Sequence, residues 1–341
     1  MSAGVKGKMV YSFEKPMWHN IVEPSVVQMT AEEILDSANF GGGYKMMTRP
    51  VTVELNGEQV ETGDFAVVRG VSLDDPVERV FGYCTERYHP LQPRDVAHSF
   101  DVIVKQPAET MAFLGKGERM FISWKMPSFD VLNDQIDMYG IVSTGFDTLK
   151  GTKLFSATYR PICKNTFSAV EGWARKNSDG HLKGEIWTGK GVNKNILYDF
   201  RYWMAHVQTA TIHEANLMEK FFRKLASTQI ENDSEAKRIL LMAYPDADNV
   251  TEFYPKELRQ DKNESTFDFN EKQEALRQGI FQLFSGAGTA ITPDYYGMFN
   301  STTEYFCHVQ PSKLPIAESV MFGGRQKATM QMVSVLNKLT K

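Results

Sequence analysis

Along the first half of the chain, apolar and polar residues alternate with a period close to two, as in strands with one buried face. Asn56-Gly57 lies between two such runs and is a strong hairpin signal, because both residues tolerate the positive φ angles of a tight turn. The sequence therefore predicts extended segments at Lys45–Leu55, Asp64–Val71, Arg79–Thr85, Met120–Met126, Met138–Thr144 and Lys153–Ile162.

After Gly191 the pattern changes to the spacing of amphipathic helices. Residues Asn193–Ser227 contain no proline or glycine, which predicts one long helix. Its seven-residue register consists of Leu197, Met204, Thr211, Met218 and Leu225. The spacing of Thr30 and Glu33 predicts a helix that begins with a capping box. Further helices are expected at Arg94–Lys105, Glu235–Ala243, Asn270–Phe284, Pro293–Val309 and Gln326–Leu339.

These elements define an α+β fold with a β-rich N-terminal half that contains hairpins and a helical C-terminal half that includes one long helix. We place the β-rich part, with a basic segment, at residues 1–191 and the mainly helical part at residues 192–341. A single α+β domain is the alternative. With 341 residues the chain buries enough surface to need no disulfide or structural metal.

Composition indicates a soluble protein of a reducing compartment. No apolar run approaches the roughly 18 residues of a membrane span, and the first residues lack the apolar stretch of a secretory signal. Cys84, Cys163 and Cys307 are odd in number and widely spaced, which argues against a disulfide framework. We therefore expect a cytoplasmic protein with no membrane partner.

Charge is distributed unevenly along the chain. The formal net charge is −4, yet the stretch from Phe146 to Arg201, which we call the basic segment, carries ten cations and five carboxylates, a net charge of +5. The remainder of the chain is left with −9. A basic stretch in an acidic protein is where a polyanion would be held.

Aromatic residues interleave with these cations, as sequence-independent binding of single-stranded nucleic acid requires. We expect Phe155, Tyr202 and Trp203 to face the core and Trp173 and Trp187 to be exposed. The turn around Arg160 has an alternative role, in which its polar side chains bond to their own backbone. The candidate nucleic-acid contacts are Lys150, Lys153, Arg160, Lys164, Asn165, Trp173, Arg175, Lys176, Trp187 and Lys190.

Other chemistry has weaker support. Cys163, between two cations, is a conceivable nucleophile but needs a base that the sequence does not place. Glu304 and His308 are spaced i, i+4, which favours a structural hydrogen bond over an acid/base pair. Asp130, Asp134 and Asp137 cluster in a way typical of solvated loops. Since no zinc-ligand or phosphate-loop motif occurs, we assign no catalytic residue, metal or cofactor and favour a non-enzymatic protein.

Five short motifs occur in order along the chain: Trp18-His19, Arg87–Gln92 with the following Phe100-Asp101, Arg160–Thr166, Tyr296–Tyr305 with His308, and Phe322-Gly323-Gly324 with Lys327. Together they resemble a phage/plasmid-like protein family of unknown function carried by bacteriophages and conjugative plasmids. Two positions depart from the family pattern: Trp187-Thr188 stands where members often have His-Thr, and Phe146-Asp147-Thr148 where they often have His-Asp-Gly.

The resemblance implies a protein that acts in the cytoplasm of a host bacterium. With the basic segment, it leads us to expect binding of single-stranded DNA, in annealing, recombination or protection of incoming DNA. Such a protein is expected to form a homo-oligomeric ring or filament, with the long helix as one interface. The alternatives are an anti-defence protein that captures a host factor, and an enzyme that uses Cys163 or His308 with Glu304.

Overall fold

We describe the protein from a computed structural model. The described residues are 10–13, 25–72, 75–148, 151–160, 165–167, 196–252, 254–255, 258–288, 292–310 and 324–340.

Antiparallel strands make up most of the described N-terminal half. Six of them form one sheet in the order β1-β5-β6-β7-β8-β9, and β2-β3-β4 form a second sheet. The strands are β1 (Val10–Ser12), β2 (Met46–Leu55), β3 (Glu58–Arg69), β4 (Arg79–Cys84), β5 (Thr110–Leu114), β6 (Arg119–Val131), β7 (Asp134–Gly145), β8 (Lys153–Arg160) and β9 (Asn165–Phe167).

Helices dominate the second half, as the change of period predicts, so the expected α+β class is confirmed. Two π-helical turns, Leu283–Ala287 and Tyr305–Val309, each follow directly on a helix. The described helices are α1 (Ala31–Asp36), α2 (Pro93–Val104), α3 (Ile196–Ala226), α4 (Asp233–Ala243), α5 (Thr266–Gln282), α6 (Tyr295–Glu304) and α7 (Gly324–Leu339).

The start of α1 shows the predicted capping box. The Thr30 hydroxyl accepts from the Glu33 N–H at 3.2 Å, and the Glu33 carboxylate accepts from the Thr30 N–H at 2.8 Å. Asp101 in α2 adds a second cap, because its two oxygens accept from the N–H groups of Ala31 and Glu32 at 2.8 and 2.9 Å. These bonds satisfy donors that a helix start leaves open and fix α2 against α1.

The long helix α3 buries its seven-residue seam within its own chain. Met204, Met218 and Leu225 are almost completely buried, as are Phe200 and Phe221. The helix packs against α2, β6, β8 and α6. Since core contacts already occupy this seam, any contact of α3 with a second copy must use the opposite face.

One hydrophobic cluster connects the two halves. It contains Trp124 and Met138 of the six-stranded sheet together with Met204, Phe299 and Leu336 of the helices. The boundary that we predicted at residue 191 lies outside the described residues.

The distal part of the β2–β3 hairpin projects from this body. Thr52–Asp64, which we call the arm, is exposed at every residue. The predicted turn Asn56-Gly57 is present, with φ of 54° and 87°. A bulge near Gly63, at φ 84°, marks the base of the arm, since the register of the two strands shifts there.

Candidate functional site

The β6–β7 turn and the paired ends of β8 and β9 lie at the same end of the six-stranded sheet. The β6–β7 turn consists of Leu132-Asn133, both at positive φ. In the neighbouring strands Asp137 pairs with Tyr159, and Arg160 pairs with Asn165. Directly paired residues lie about 5 Å apart, so the backbone brings Arg160 close to Asn165.

Two of the three clustered aspartates are buried at this end of the sheet, which corrects the expectation of a solvated loop. Asp134 accepts a hydrogen bond from the Tyr296 hydroxyl at 2.8 Å. Asp137 accepts from the Ser128 hydroxyl at 2.7 Å and from the Gln135 amide at 2.9 Å. The buried carboxylates are hydrogen-bonded, as burial requires. Asp134 connects β7 to α6, and Asp137 connects β7 to β6.

Helix α6 packs against β9, so two of the motifs that are far apart in sequence meet in space. All residues from Tyr295 to Thr303 are buried. The hydroxyls of Ser301, Thr302 and Thr303 donate to backbone carbonyls of the same helix at 2.8–3.0 Å. The donor capacity of these hydroxyls is therefore used within the helix.

Asn300 differs from its neighbours on α6. It is 4% exposed, and its side-chain nitrogen finds no hydrogen-bond partner among the described residues. A buried amide donor left unpaired costs about 1–3 kcal/mol. Asn300 stands out only once its burial is known, because an asparagine in a helix is an ordinary residue by sequence alone.

Arg325, which lies between Gly324 and Lys327 of the last motif, stabilises the end of α6. Arg325 of α7 is 5% exposed and donates to the carbonyl oxygens of Phe306, within the second π-helical turn, and of Gln310, directly after it. Burial lowers the pKa of this guanidinium below its usual range. The arginine thus satisfies carbonyls that the change from α- to π-helix leaves open.

Other residues of the resembling motifs also stabilise the fold. The Gln92 amide accepts from the Met46 N–H at 3.0 Å and donates to the carbonyls of Met46 and Pro90 at 3.1 Å. Gln92 therefore holds the beginning of β2 in place, much as Asp101 caps α1.

Lys153 lies away from the site formed by the hairpin ends. It begins β8 and is paired with Ser143, whereas Arg160 ends the same strand. Seven residues along a strand span about 23 Å. The structure therefore does not bring Lys153 together with Arg160.

Most of the predicted nucleic-acid contacts lie outside the described residues, and for Arg160 and Asn165 only the backbone is described. The candidate nucleophile Cys163 is outside them too. The contacts outside the described residues are Lys150, Lys164, Trp173, Arg175, Lys176, Trp187 and Lys190.

Tyr202 corrects the expectation that its ring faces the core. It is 71% exposed, whereas Phe200 and Met204 of the same helix are fully buried. The physical reason is helical geometry: two residues along, the side chain points about 200° away from the seam. Tyr202 is therefore a solvent-facing ring one position beyond the basic segment, which sequence reasoning missed.

The remaining candidates for chemistry differ in their exposure. His308 is exposed in the second π-helical turn, and Glu304 is partly buried. Burial raises the pKa of the Cys84 thiol, which makes it less reactive. Among the described residues, no group of three His, Cys, Asp or Glu side chains is placed to hold a metal ion. None of the described helices has the length and apolarity needed to cross a membrane.

Comparison of the sequence with known protein families assigns the chain to one of them. A family model, described as a domain of unknown function (DUF932), matches residues 80–338, well over half of the chain. The chain belongs to this family. No curated protein and no solved structure matches it. The matched region begins after the arm and includes the two hairpin ends and α6.

Proposed function

We propose that this protein binds single-stranded DNA, without catalysing a reaction, in annealing, recombination or protection of DNA of a phage or plasmid. The origin in mobile elements rests on the resemblance of its motifs to the phage/plasmid-like family. The activity rests on the basic segment, whose net charge of +5 contrasts with −9 for the rest of the chain. Cations neutralise phosphates and exposed rings stack on bases.

The observation that carries the proposal is the exposed ring of Tyr202. Its neighbour Arg201 closes the basic segment and is partly buried, with its guanidinium donating to the Ser99 hydroxyl at 3.4 Å. Helix α3 thus presents an aromatic ring to solvent directly after the end of the basic segment. Stacking of one base on such a ring contributes about 1–3 kcal/mol.

The test is fluorescence anisotropy with a labelled single-stranded oligonucleotide and its duplex, measured across a salt series. We expect preference for the single strand and an affinity that falls as salt rises, since bound cations are released. Light scattering on the same samples gives the mass of the complex. No binding at low salt would overturn the proposal.

Tyr202→Ala is expected to weaken single-strand binding about five- to 150-fold, the range that loss of one stacked base predicts. Phe267→Ala is the matched control, because Phe267 is 69% exposed and belongs to α5, outside the basic segment. Equal effects of the two substitutions would mean that Tyr202 does not contact the strand.

The alternative of an anti-defence protein has its own support in the acidic remainder of the chain. A protein that mimics nucleic acid repels it. Binding of a host factor with no binding of any oligonucleotide would therefore favour that alternative.

A further inference from the structure

The arm, Thr52–Asp64, leaves its strand edges open. β2 is an edge strand of its sheet, and β4 pairs with β3 only from Phe65 onward. Within the described part of the chain, the backbone of Glu58–Asp64 therefore has no ladder partner on the side away from β2. Unpaired edges of this kind are sites at which another polypeptide adds a strand.

The open edge of β3 continues the line that β4 occupies. Cys84, the last residue of β4, pairs with Phe65, so the open stretch begins at the preceding residue, Asp64. The N–H of Asp64 is bonded to the Thr62 hydroxyl at 3.2 Å, which leaves Glu58–Thr62 as the usable edge. Every second residue of a strand points its N–H and C=O to the same side. A strand added here lies end to end with β4.

The two faces of the arm differ in chemistry. On one face Val53 pairs with Val60, and their side chains are 42% and 41% exposed, with Leu55 beside them at 56%. On the other face Thr52 pairs with Glu61. Exposed valines and a leucine in register form an apolar stripe of the kind that marks a contact surface, and a strand added beside β3 extends that stripe.

The charge of the arm determines which polypeptide fits. The arm contains four carboxylates and no cation, and three of them, Glu58, Glu61 and Asp64, lie on β3 beside the open edge. Like charges on neighbouring strands destabilise their pairing, so the arm of a second copy is a poor partner. Nucleic acid, which is also anionic, is repelled, whereas a basic polypeptide is attracted.

We propose that the arm binds an extended, basic polypeptide of another protein, which adds as a strand alongside Glu58–Thr62. Its backbone completes the ladder, its apolar side chains cover the stripe, and its cations face the carboxylates. This binding site lies outside residues 80–338, the region that the family model matches. It goes beyond the proposed function, because neither DNA nor the basic segment takes part in it.

The first measurement is fluorescence anisotropy with a labelled peptide of about ten alternating Lys and Val residues, kept at trace concentration in about 50 mM salt. Alternation places the valines on one face of the added strand and the lysines on the other, which matches the two faces of the arm. A peptide of alternating Glu and Val is the charge control. We expect the basic peptide to bind and the acidic peptide not to bind.

The arm variant is Glu58→Gln/Glu61→Gln. An exposed ion pair contributes a factor of about 1.4 to 5, so the two substitutions together are expected to weaken binding of the basic peptide about two- to 25-fold. The control variant, Asp248→Asn/Glu252→Gln, removes two exposed carboxylates from the helical half and should bind like the wild type. Circular dichroism checks that all three proteins are folded.

Hydrogen–deuterium exchange tests whether the peptide adds as a strand. Amides bonded in a ladder exchange slowly, whereas solvent-exposed amides exchange fast. We expect the basic peptide to slow exchange within Glu58–Thr62 of the wild type and of the control variant. A peptide held by charge alone leaves these amides as they are in the free protein.

The inference fails if the basic peptide does not bind at low salt, or if it binds the arm variant as tightly as the wild type. Binding without slower exchange in the arm would also overturn it, because the contact would then be electrostatic attachment only. Sedimentation velocity of the protein alone tests the other occupant. Self-association that the arm variant loses, without binding of the peptide, would assign the open edge to a second copy and overturn the inference.

Discussion

At the scale of single residues, most of the buried charge is used by the fold. Arg69 is 1% exposed and donates to the carbonyl of Val77 at 2.8 Å and to that of Lys116 at 3.2 Å, with Asp75 at 3.0 Å as its counter-ion. A hydrogen bond from Arg79 holds the pKa of Asp75 at about 2. In a sequence, charged residues such as these suggest a functional site, but in the structure they stabilise a loop.

Thr148 is a β-branched residue whose backbone lies in the left-handed region. Its φ is 60°, a conformation that β-branched residues rarely adopt. The loop is held there by close packing: a Cβ added to Gly82 would lie 2.4 Å from the Thr148 hydroxyl and 2.9 Å from the Asp147 carbonyl. This is also the position at which the resembling family often has glycine.

Thr148→Gly is expected to stabilise the protein. Relief of the left-handed conformation gains about 1–3 kcal/mol, and the added freedom of glycine in the unfolded chain offsets about 0.5–1 kcal/mol. The midpoint of urea unfolding should rise with an unchanged slope. Thr148→Ala keeps a Cβ and should gain less. A glycine variant less stable than the wild type would contradict this account.

At the scale of helices and strands, periodicity predicted most of the elements, because burial of one face is encoded locally. The helix predicted at Glu235–Ala243 begins only two residues earlier, at Asp233. The strand predicted at Asp64–Val71 begins at Glu58 instead, since an arm exposed on both faces leaves no apolar alternation to detect.

The candidate site was less predictable, because its geometry depends on contacts between distant residues. The sequence identified the motifs of the β8–β9 turn and of α6 but not their contact. The Tyr296–Asp134 hydrogen bond joins residues 162 positions apart. No local pattern distinguishes such an aspartate from a solvated one. The exposed ring of Tyr202 was missed because apolar neighbours on the same helix suggested burial.

Met204→Ala tests whether the seam of α3 belongs to the core. Met204 is 0% exposed, so its truncation is expected to cost about 2–5 kcal/mol of unfolding free energy. Met242→Ala on α4 is the control, because that side chain is 42% exposed and surface changes usually stay within about 0.5 kcal/mol. Urea unfolding of both variants provides the comparison. A negligible effect of Met204→Ala would show that the seam is not packed as described.

At the scale of the whole molecule, the β-rich and helical halves share their hydrophobic core. Trp124 of β6 and Phe200 of α3 belong to the same cluster, and α6 bonds to β7 through Tyr296. The matched family region, residues 80–338, crosses from one half into the other. Neither half buries its apolar face without the other.

Unfolding should therefore occur as one transition. In urea, tryptophan fluorescence and far-ultraviolet circular dichroism are expected to report the same midpoint, because Trp124 lies in the core that the helices cover. Two separated transitions would mean that the halves unfold independently.

The shared core also has a consequence for synthesis on the ribosome. Strands β6 and β7 are complete at Gly145, but α3, which packs on the sheet at β6 and β8, ends only at Ala226. At about 5–20 residues per second, the roughly 80 intervening residues take about 4–16 s to emerge. During that interval the apolar face of the nascent sheet lacks the helix that covers it in the folded protein. This is the period in which a ribosome-associated chaperone could bind the exposed face of the nascent sheet.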